Sequence, residues 1–176
     1  MIYSFLQNGD SAVTVQFQNE ISKEVNSQVT ALCDRLEAKR IDGVIELVPT
    51  FASLTVFYDC SVISSKKLKK KIEALIRDGE SHVKGTARVW NIPVCYDDEF
   101  ALDMETVCGH TKLTREEVIA LHTSKPYLIY MLGFLPGFAY LGGMDERLFT
   151  PRLKTPRLEI FEGAVGIGGE QTGIYP

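Results

Sequence analysis

Hydrophobic and polar positions change period repeatedly along the first half of this chain. Val13, Val15 and Phe17 alternate with Thr14 and Gln16, the two-residue period of a half-buried strand. This predicts strands over Ile2 to Leu6 and Ala12 to Phe17, joined by a turn at Asn8-Gly9-Asp10. Ile21, Val25, Val29, Leu32, Cys33 and Leu36 then recur at spacings of three and four, which predicts an amphipathic helix stopped by Asp42-Gly43. Val44 to Val48 and Phe51 to Tyr58 read as a second strand pair, broken by Pro49. A Ser64/Ser65 cap opens a second helix with Leu68, Ile72, Leu75 and Ile76 on its apolar face, and Gly79 and Gly85 bracket the exit. The order strand-strand-helix-strand-strand-helix predicts a ferredoxin-like α+β layer over residues 1–84.

From Thr86 the pattern changes, and the domain boundary is expected between Asp78 and Thr86. Arg88 to Tyr96 reads as a strand with Trp90, Ile92 and Val94 on one side. Thr114-Arg115-Glu116-Glu117 matches a capping box and opens a short helix carrying Val118 and Leu121. Tyr127 to Leu132 is β-prone, and everything after it reads as short extended pieces between Gly/Pro corners. Residues 85–176 are therefore read as a barrel-like β domain. No internal repeat or low-complexity tract is evident.

Composition narrows the function classes. The chain has 176 residues, of which 45% are hydrophobic, enough for a real core in one or two small domains. A net charge of −4 argues against a nucleic-acid module, which carries a basic field. No run has membrane-spanning length, and Met1-Ile2-Tyr3-Ser4 lacks the basic start of a signal peptide. Cys33, Cys60, Cys95 and Cys108 are widely spaced without a C-x-x-C, which points to reduced thiols in the cytoplasm.

Candidate chemistry concentrates in the last third. His82, His110 and His122 are scattered, none paired at helical spacing, so they read as surface or loop histidines and no metal site is expected. Gly166-Ile167-Gly168-Gly169-Glu170-Gln171 begins like a dinucleotide loop but lacks the final glycine and a following helix. It leaves room only for a backbone nest that holds an anion. Lys66, Lys67, Lys69, Lys70 and Lys71 are interrupted by Leu68 at helical spacing and read as a solvated helix face. Arg152 and Arg157 each follow a proline, and a guanidinium held at a fixed angle suits a carboxylate or phosphate. The alternative for both is an ion pair with Asp145, Glu146 or Glu159. Tyr140, Gln171, Thr172 and Tyr175 can add hydrogen bonds to a small amide or carboxylate, while Phe134 and Phe138 read as packing beneath the loop. No nucleophile–base pair is visible, so the catalytic residues are unassigned and the chain is expected to supply part of a shared site.

Three sequence blocks carry a family resemblance. They are Gly133-Phe134-Leu135-Pro136-Gly137-Phe138-Ala139-Tyr140-Leu141, the dipeptides Pro151-Arg152 and Pro156-Arg157, and Gly163-Ala164-Val165-Gly166-Ile167-Gly168-Gly169-Glu170-Gln171-Thr172-Gly173-Ile174-Tyr175-Pro176. In order and content they resemble the signature of the KipI/PxpB family, also called allophanate hydrolase subunit 1-like proteins. Gly9-Asp10-Ser11-Ala12, Glu46-Leu47-Val48-Pro49 and Ile92-Pro93-Val94-Cys95-Tyr96 extend the resemblance over essentially the whole chain.

The resemblance implies a cyclophilin-like barrel for residues 85–176. Family members usually continue through an S-P-G-G-W and a G-R-T-P block, so the barrel is expected to lack its C-terminal strands. It also implies a component of a bacterial ATP-dependent 5-oxoprolinase, opening 5-oxo-L-proline to L-glutamate with a KipA/PxpC-like subunit and a PxpA-like subunit. ATP belongs to the assembled complex in that reading, and no cofactor is assigned to this chain. Two alternatives come with the family: an inhibitor that binds a sporulation sensor histidine kinase, and a urea carboxylase or allophanate-type component. The residues offered to substrate or partner are Pro136, Gly137, Phe138, Tyr140, Arg152, Arg157, Gln171 and Thr172.

Overall fold

The computed structural model describes residues 2–78 and 88–176. The chain divides into two compact units, Met1–Thr86 and Ala87–Pro176. Each carries one four-stranded antiparallel sheet with helices, which makes the chain α+β. Gly79 and Gly85, on which the expected helix exit and boundary rest, lie outside the described residues, as does His82, expected at the surface or in a loop.

In the first unit, β1 (Tyr3–Asn8), β2 (Ala12–Phe17), β3 (Val44–Pro49) and β4 (Ser53–Tyr58) form a sheet in the order β1-β2-β4-β3. Alternation sends Val13, Val15 and Phe17 of β2 and Leu54, Val56 and Tyr58 of β4 to one face. Helix α1 (Lys23–Lys39) covers that face with Val25, Val29, Leu32, Cys33 and Leu36, and helix α2 (Ser65–Arg77) with Leu68, Ile72 and Ile76. Each large side chain buried here contributes about 1.5–3 kcal/mol, so the two strand pairs and two helices hold one another.

Three local expectations shift. Ser22 caps α1 by accepting a hydrogen bond from the Val25 amide, so Ile21 lies before the helix and stays exposed. The helix ends at Arg40, which takes a left-handed backbone and donates its N–H to the Leu36 carbonyl. Asp42-Gly43 instead makes the turn into β3, where Gly43 has a φ of 87° and a Cβ would stand 2.8 Å from Ile63 Cγ2. Strand β4 starts at Ser53 rather than Phe51, because Thr50 and Ser53 close a turn through their side chains and amides.

The second unit contains α3 (Met104–Thr111), α4 (Arg115–Thr123), β5 (Leu128–Leu132), β6 (Ala139–Gly142), a 3-10 turn (Glu146–Leu148), β7 (Val165–Gly168) and β8 (Gln171–Ile174). Its sheet runs β5-β6-β8-β7. Val118, Met144 and Leu148 centre a small core, joined by Val107, Leu121, Tyr127 and Ile167. The capping box at Thr114 and Glu117 forms in both directions, as its spacing predicts.

The strand expected over residues 88–96 does not form. Its alternation is real, but a strand also needs a ladder partner, and among the described residues none pairs with it. Trp90 and Ile92 consequently stand in solvent. Helix α3 was not expected, because it buries no residue fully and Asp103, at its N-cap, makes no capping hydrogen bond. Among the described residues, no helix is long and apolar enough to cross a membrane.

Candidate functional site: a glycine-floored sheet face

Register decides which residues of the last block can act together. Tyr140 of β6 lies opposite Gly173 of β8, Gly173 lies opposite Gly166 of β7, and Gln171 lies opposite Gly168. Paired residues across a sheet share a face, as do positions two apart on one strand. Tyr140, Gln171, Gly173, Gly166 and Gly168 therefore line one face, and Thr172 with Leu141 and Ile167 lines the other.

Three side chains lie directly over the three glycines. A Cβ would stand 2.8 Å from Phe138 Cζ at Gly173, 3.7 Å from Tyr175 Cε2 at Gly166, and 3.3 Å from Arg152 Cγ and Nε at Gly168. Only glycine leaves space for so close an approach at Gly173. Phe138 meets Tyr140 and Tyr175 edge-on, with ring centroids 4.9 Å apart in both cases. Phe138 is buried, as expected, but Phe134 is not: it stands exposed at the rim, 5.7 Å from the Phe138 centroid. Its left-handed φ of 67° and the Gly137 φ of 86° turn the loop there, and the Gly133 and Phe138 backbones close it. Pro136 and Gly137 form that turn, with Gly137 packed near Pro176.

Among the described residues, two polar groups on the glycine face lack partners. Among the described residues Arg152 makes no ion pair or hydrogen bond, and its side chain is exposed. The Gln171 Nε2 amide is buried with no hydrogen-bond partner. A buried donor left unsatisfied costs about 1–3 kcal/mol. An exposed planar guanidinium beside a buried amide and an aromatic cluster fits a small ligand bearing a carboxylate and a second polar group.

Arg157 is placed elsewhere. Its guanidinium forks onto Asp103 at the start of α3, with Nη2 donating to Oδ1 at 2.8 Å and Nη1 donating to Oδ2. The partner is none of the acids expected from proximity in sequence, since Asp145 accepts from Arg147 instead. Held by Arg157, the Asp103 carboxyl titrates below its ordinary range. A shallow concavity of about 350 Å³, lined by Lys125, Met144, Asp145, Glu146 and Arg147, shares no residue with the glycine face.

The opposite face holds what sequence reasoning missed. His122, expected at the surface or in a loop, is buried on α4. Its Nδ1 lies 2.6 Å from the Tyr96 hydroxyl and its Nε2 lies 3.2 Å from Thr172 Oγ1. Thr172 Oγ1 donates to the Gly166 carbonyl at 3.0 Å, and the Tyr127 hydroxyl donates to the His122 carbonyl at 2.7 Å. A carbonyl only accepts, so the single Thr172 proton is committed to Gly166. The imidazole must then donate from Nε2 and accept from Tyr96 at Nδ1. Thr172 is consequently no nucleophile activated by His122. Burial lowers the His122 pKa and, with smaller effects from Tyr96 and Asp145, pushes the Tyr127 hydroxyl up to about 12. Among the described residues, no three His, Cys, Asp or Glu side chains gather as metal ligands.

Similarity to known proteins extends over essentially the whole chain. The family model described as carboxyltransferase domain, subdomain C and D, matches residues 3–176. The B component of the 5-oxoprolinase of Bacillus subtilis is 42% identical over 184 aligned positions, which span 99% of this chain and 77% of that protein. The chain belongs to the KipI/PxpB family. The B component of the Haemophilus influenzae 5-oxoprolinase is 38% identical to this KipI/PxpB member across 95% of its length and 76% of the relative. Among solved structures, TTHA0988 superposes with a TM-score of 0.80 at 33% identity over 93% of this chain, which spans 32% of that longer chain. The urea carboxylase of Kluyveromyces lactis, 20% identical with a TM-score of 0.78 over 98% of this chain and 18% of its own, shares the fold.

Proposed function

We propose that this KipI/PxpB member is the B component of a bacterial ATP-dependent 5-oxoprolinase. It shares a site with a KipA/PxpC-like subunit and works beside a PxpA-like subunit in the cytoplasm. The observation that carries the reading is the 42% identity to the B component of a 5-oxoprolinase along 99% of the chain. The glycine face supports it chemically. 5-Oxo-L-proline offers one carboxylate and one lactam carbonyl, and the face offers one unpaired guanidinium at Arg152 and one unpaired buried amide at Gln171. Preorganised donors on a carbonyl favour the charge that develops as water opens the lactam C–N bond. Tyr140 and Phe138 wall the site, and the Pro136-Gly137 turn beside it suits a contact with another subunit. ATP is assigned to the complex and not to this chain.

The same reading takes the first unit as ferredoxin-like and the second as cyclophilin-like. The order β1-β2-β4-β3 with a helix after each strand pair supports the first of these.

The test is to purify the chain with PxpA-like and PxpC-like subunits and follow glutamate release from 5-oxo-L-proline with and without ATP. ATP-dependent release that requires this chain is the expected result. Equal release when the chain is omitted, or none from the full complex, overturns the reading.

A further inference from the structure

We infer that His122 is a positioning residue for the glycine face, acting through Thr172. The face depends on three glycines, Gly166, Gly168 and Gly173, and backbone of that composition is not held in place by side chains of its own. Beyond the ladder and the side chains packed over it, a further restraint comes from behind. Tyr96 donates to His122 Nδ1, His122 Nε2 donates to Thr172 Oγ1, and Thr172 donates to the Gly166 carbonyl. Each proton in this series has one destination, so the chain of donors runs in a single direction from the Tyr96 segment through α4 to β7. Thr172 stands between Gln171 and Gly173 on β8, and Gly166 pairs with Gly173 across the ladder. Fixing Thr172 and the Gly166 carbonyl therefore fixes the strand pair on which Gln171 and the glycine floor are carried. The imidazole is buried and both its nitrogens are engaged, so it acts on the face without touching a ligand.

The role in turnover rests on the 5-oxoprolinase reading, and the test separates the two. In the isolated chain, nitrogen NMR of the imidazole should show an unprotonated Nδ1 and a protonated Nε2. Thr172→Val and Tyr96→Phe should move the amide resonances of Gly166, Gly168 and Gly173, and Thr172→Ser should return them to their wild-type positions. In the assembled complex, Thr172→Val should lower kcat about tenfold with KM within about twofold, the size expected when one hydrogen bond is lost. Thr172→Ser should recover most of that rate. Tyr96→Phe keeps the ring and serves where Thr172→Val fails to fold. Unmoved glycine amides in both variants overturn the inference, as does a fall in melting temperature with turnover per folded molecule unchanged. A wild-type complex without 5-oxoprolinase turnover overturns the functional reading alone, because the glycine amides still decide the positioning role.

Discussion

Arg157 and Asp103 are joined by a two-pronged ion pair, with Nη2 donating to Oδ1 at 2.8 Å. It ties the second Pro-Arg dipeptide to the first residue before α3 and explains why Asp103 does not cap that helix itself. Both side chains are 39% exposed, so solvent screens the pair and its contribution to stability is small. Its pH dependence has a definite sign. The Asp103 pKa is lowered in the folded chain, so the contribution is complete above the unfolded carboxylate value of about 3.9 and is lost as pH falls through the lower folded value. Arg157→Ala should therefore reduce stability near neutral pH and lose its effect at the acid end. Urea melts of both proteins from neutral pH downward check this, and a gap that persists at low pH would show that packing of the arginine stem matters more.

Arg152 should behave in the opposite way. It rests over Gly168 and has no partner among the described residues, so Arg152→Lys should change stability by less than about 0.5 kcal/mol. In the assembled complex, losing the bidentate fork to a carboxylate should cost about 1.5–3 kcal/mol, a tenfold to hundredfold fall in kcat/KM. Melting temperature and turnover measured on the same preparation decide the matter. A destabilised but fully active Arg152→Lys would place this arginine in the fold instead.

Legibility in the sequence followed how far each signal reaches. Val13, Val15 and Phe17 announce β2 because alternation is local, and Ser64 and Thr114 announce helix starts because caps are local. The Arg157–Asp103 pair joins residues 54 apart, and no pattern in one sequence links them. Arg88 to Tyr96 has the alternation of a strand, but alternation does not supply a ladder partner. His122 was missed because a lone histidine on a short helix looks like a surface residue until Tyr96 and Thr172 are seen beside it. One signal was available and unused. Gln171 and Thr172 are neighbours in an extended run, so they face opposite ways and cannot meet the same ligand by their side chains.

The irregular segment makes a prediction about amide exchange. Residues 88–95 lie outside every strand and helix, whereas β2 is paired on both sides, to β1 and to β4. Unpaired amides exchange through small local openings, and a central strand exchanges only on far larger ones. Deuterium should enter residues 88–95 within the earliest time points and residues 12–17 at the latest. Comparable protection of the two segments would mean that Arg88 to Cys95 is covered by a second copy or another chain in solution.

Two glycines on the same ladder rung should respond differently to one added methyl group. At Gly173 the new Cβ meets Phe138 Cζ at 2.8 Å and Phe138 Cε1 at 3.3 Å. That ring is buried between Tyr140 and Tyr175 and has little room to retreat. Gly173→Ala should accordingly cost about 1–3 kcal/mol, the usual range for overpacking a filled site, and should alter the near-ultraviolet dichroism of the aromatic cluster. At Gly166 the Cβ would stand 3.7 Å from Tyr175, an ordinary contact, and its φ requires no glycine. Gly166→Ala should then lie within about 1 kcal/mol of the parent, helped by the lower entropy of the unfolded chain. Because its methyl still rises from the floor of the face, turnover in the complex should fall in Gly166→Ala even though stability does not. Denaturation of both variants beside the complex assay separates packing from function at adjacent positions. Equal losses of stability in the two would mean that the ladder tolerates no side chain at all, and that the floor is bare for folding rather than for a ligand.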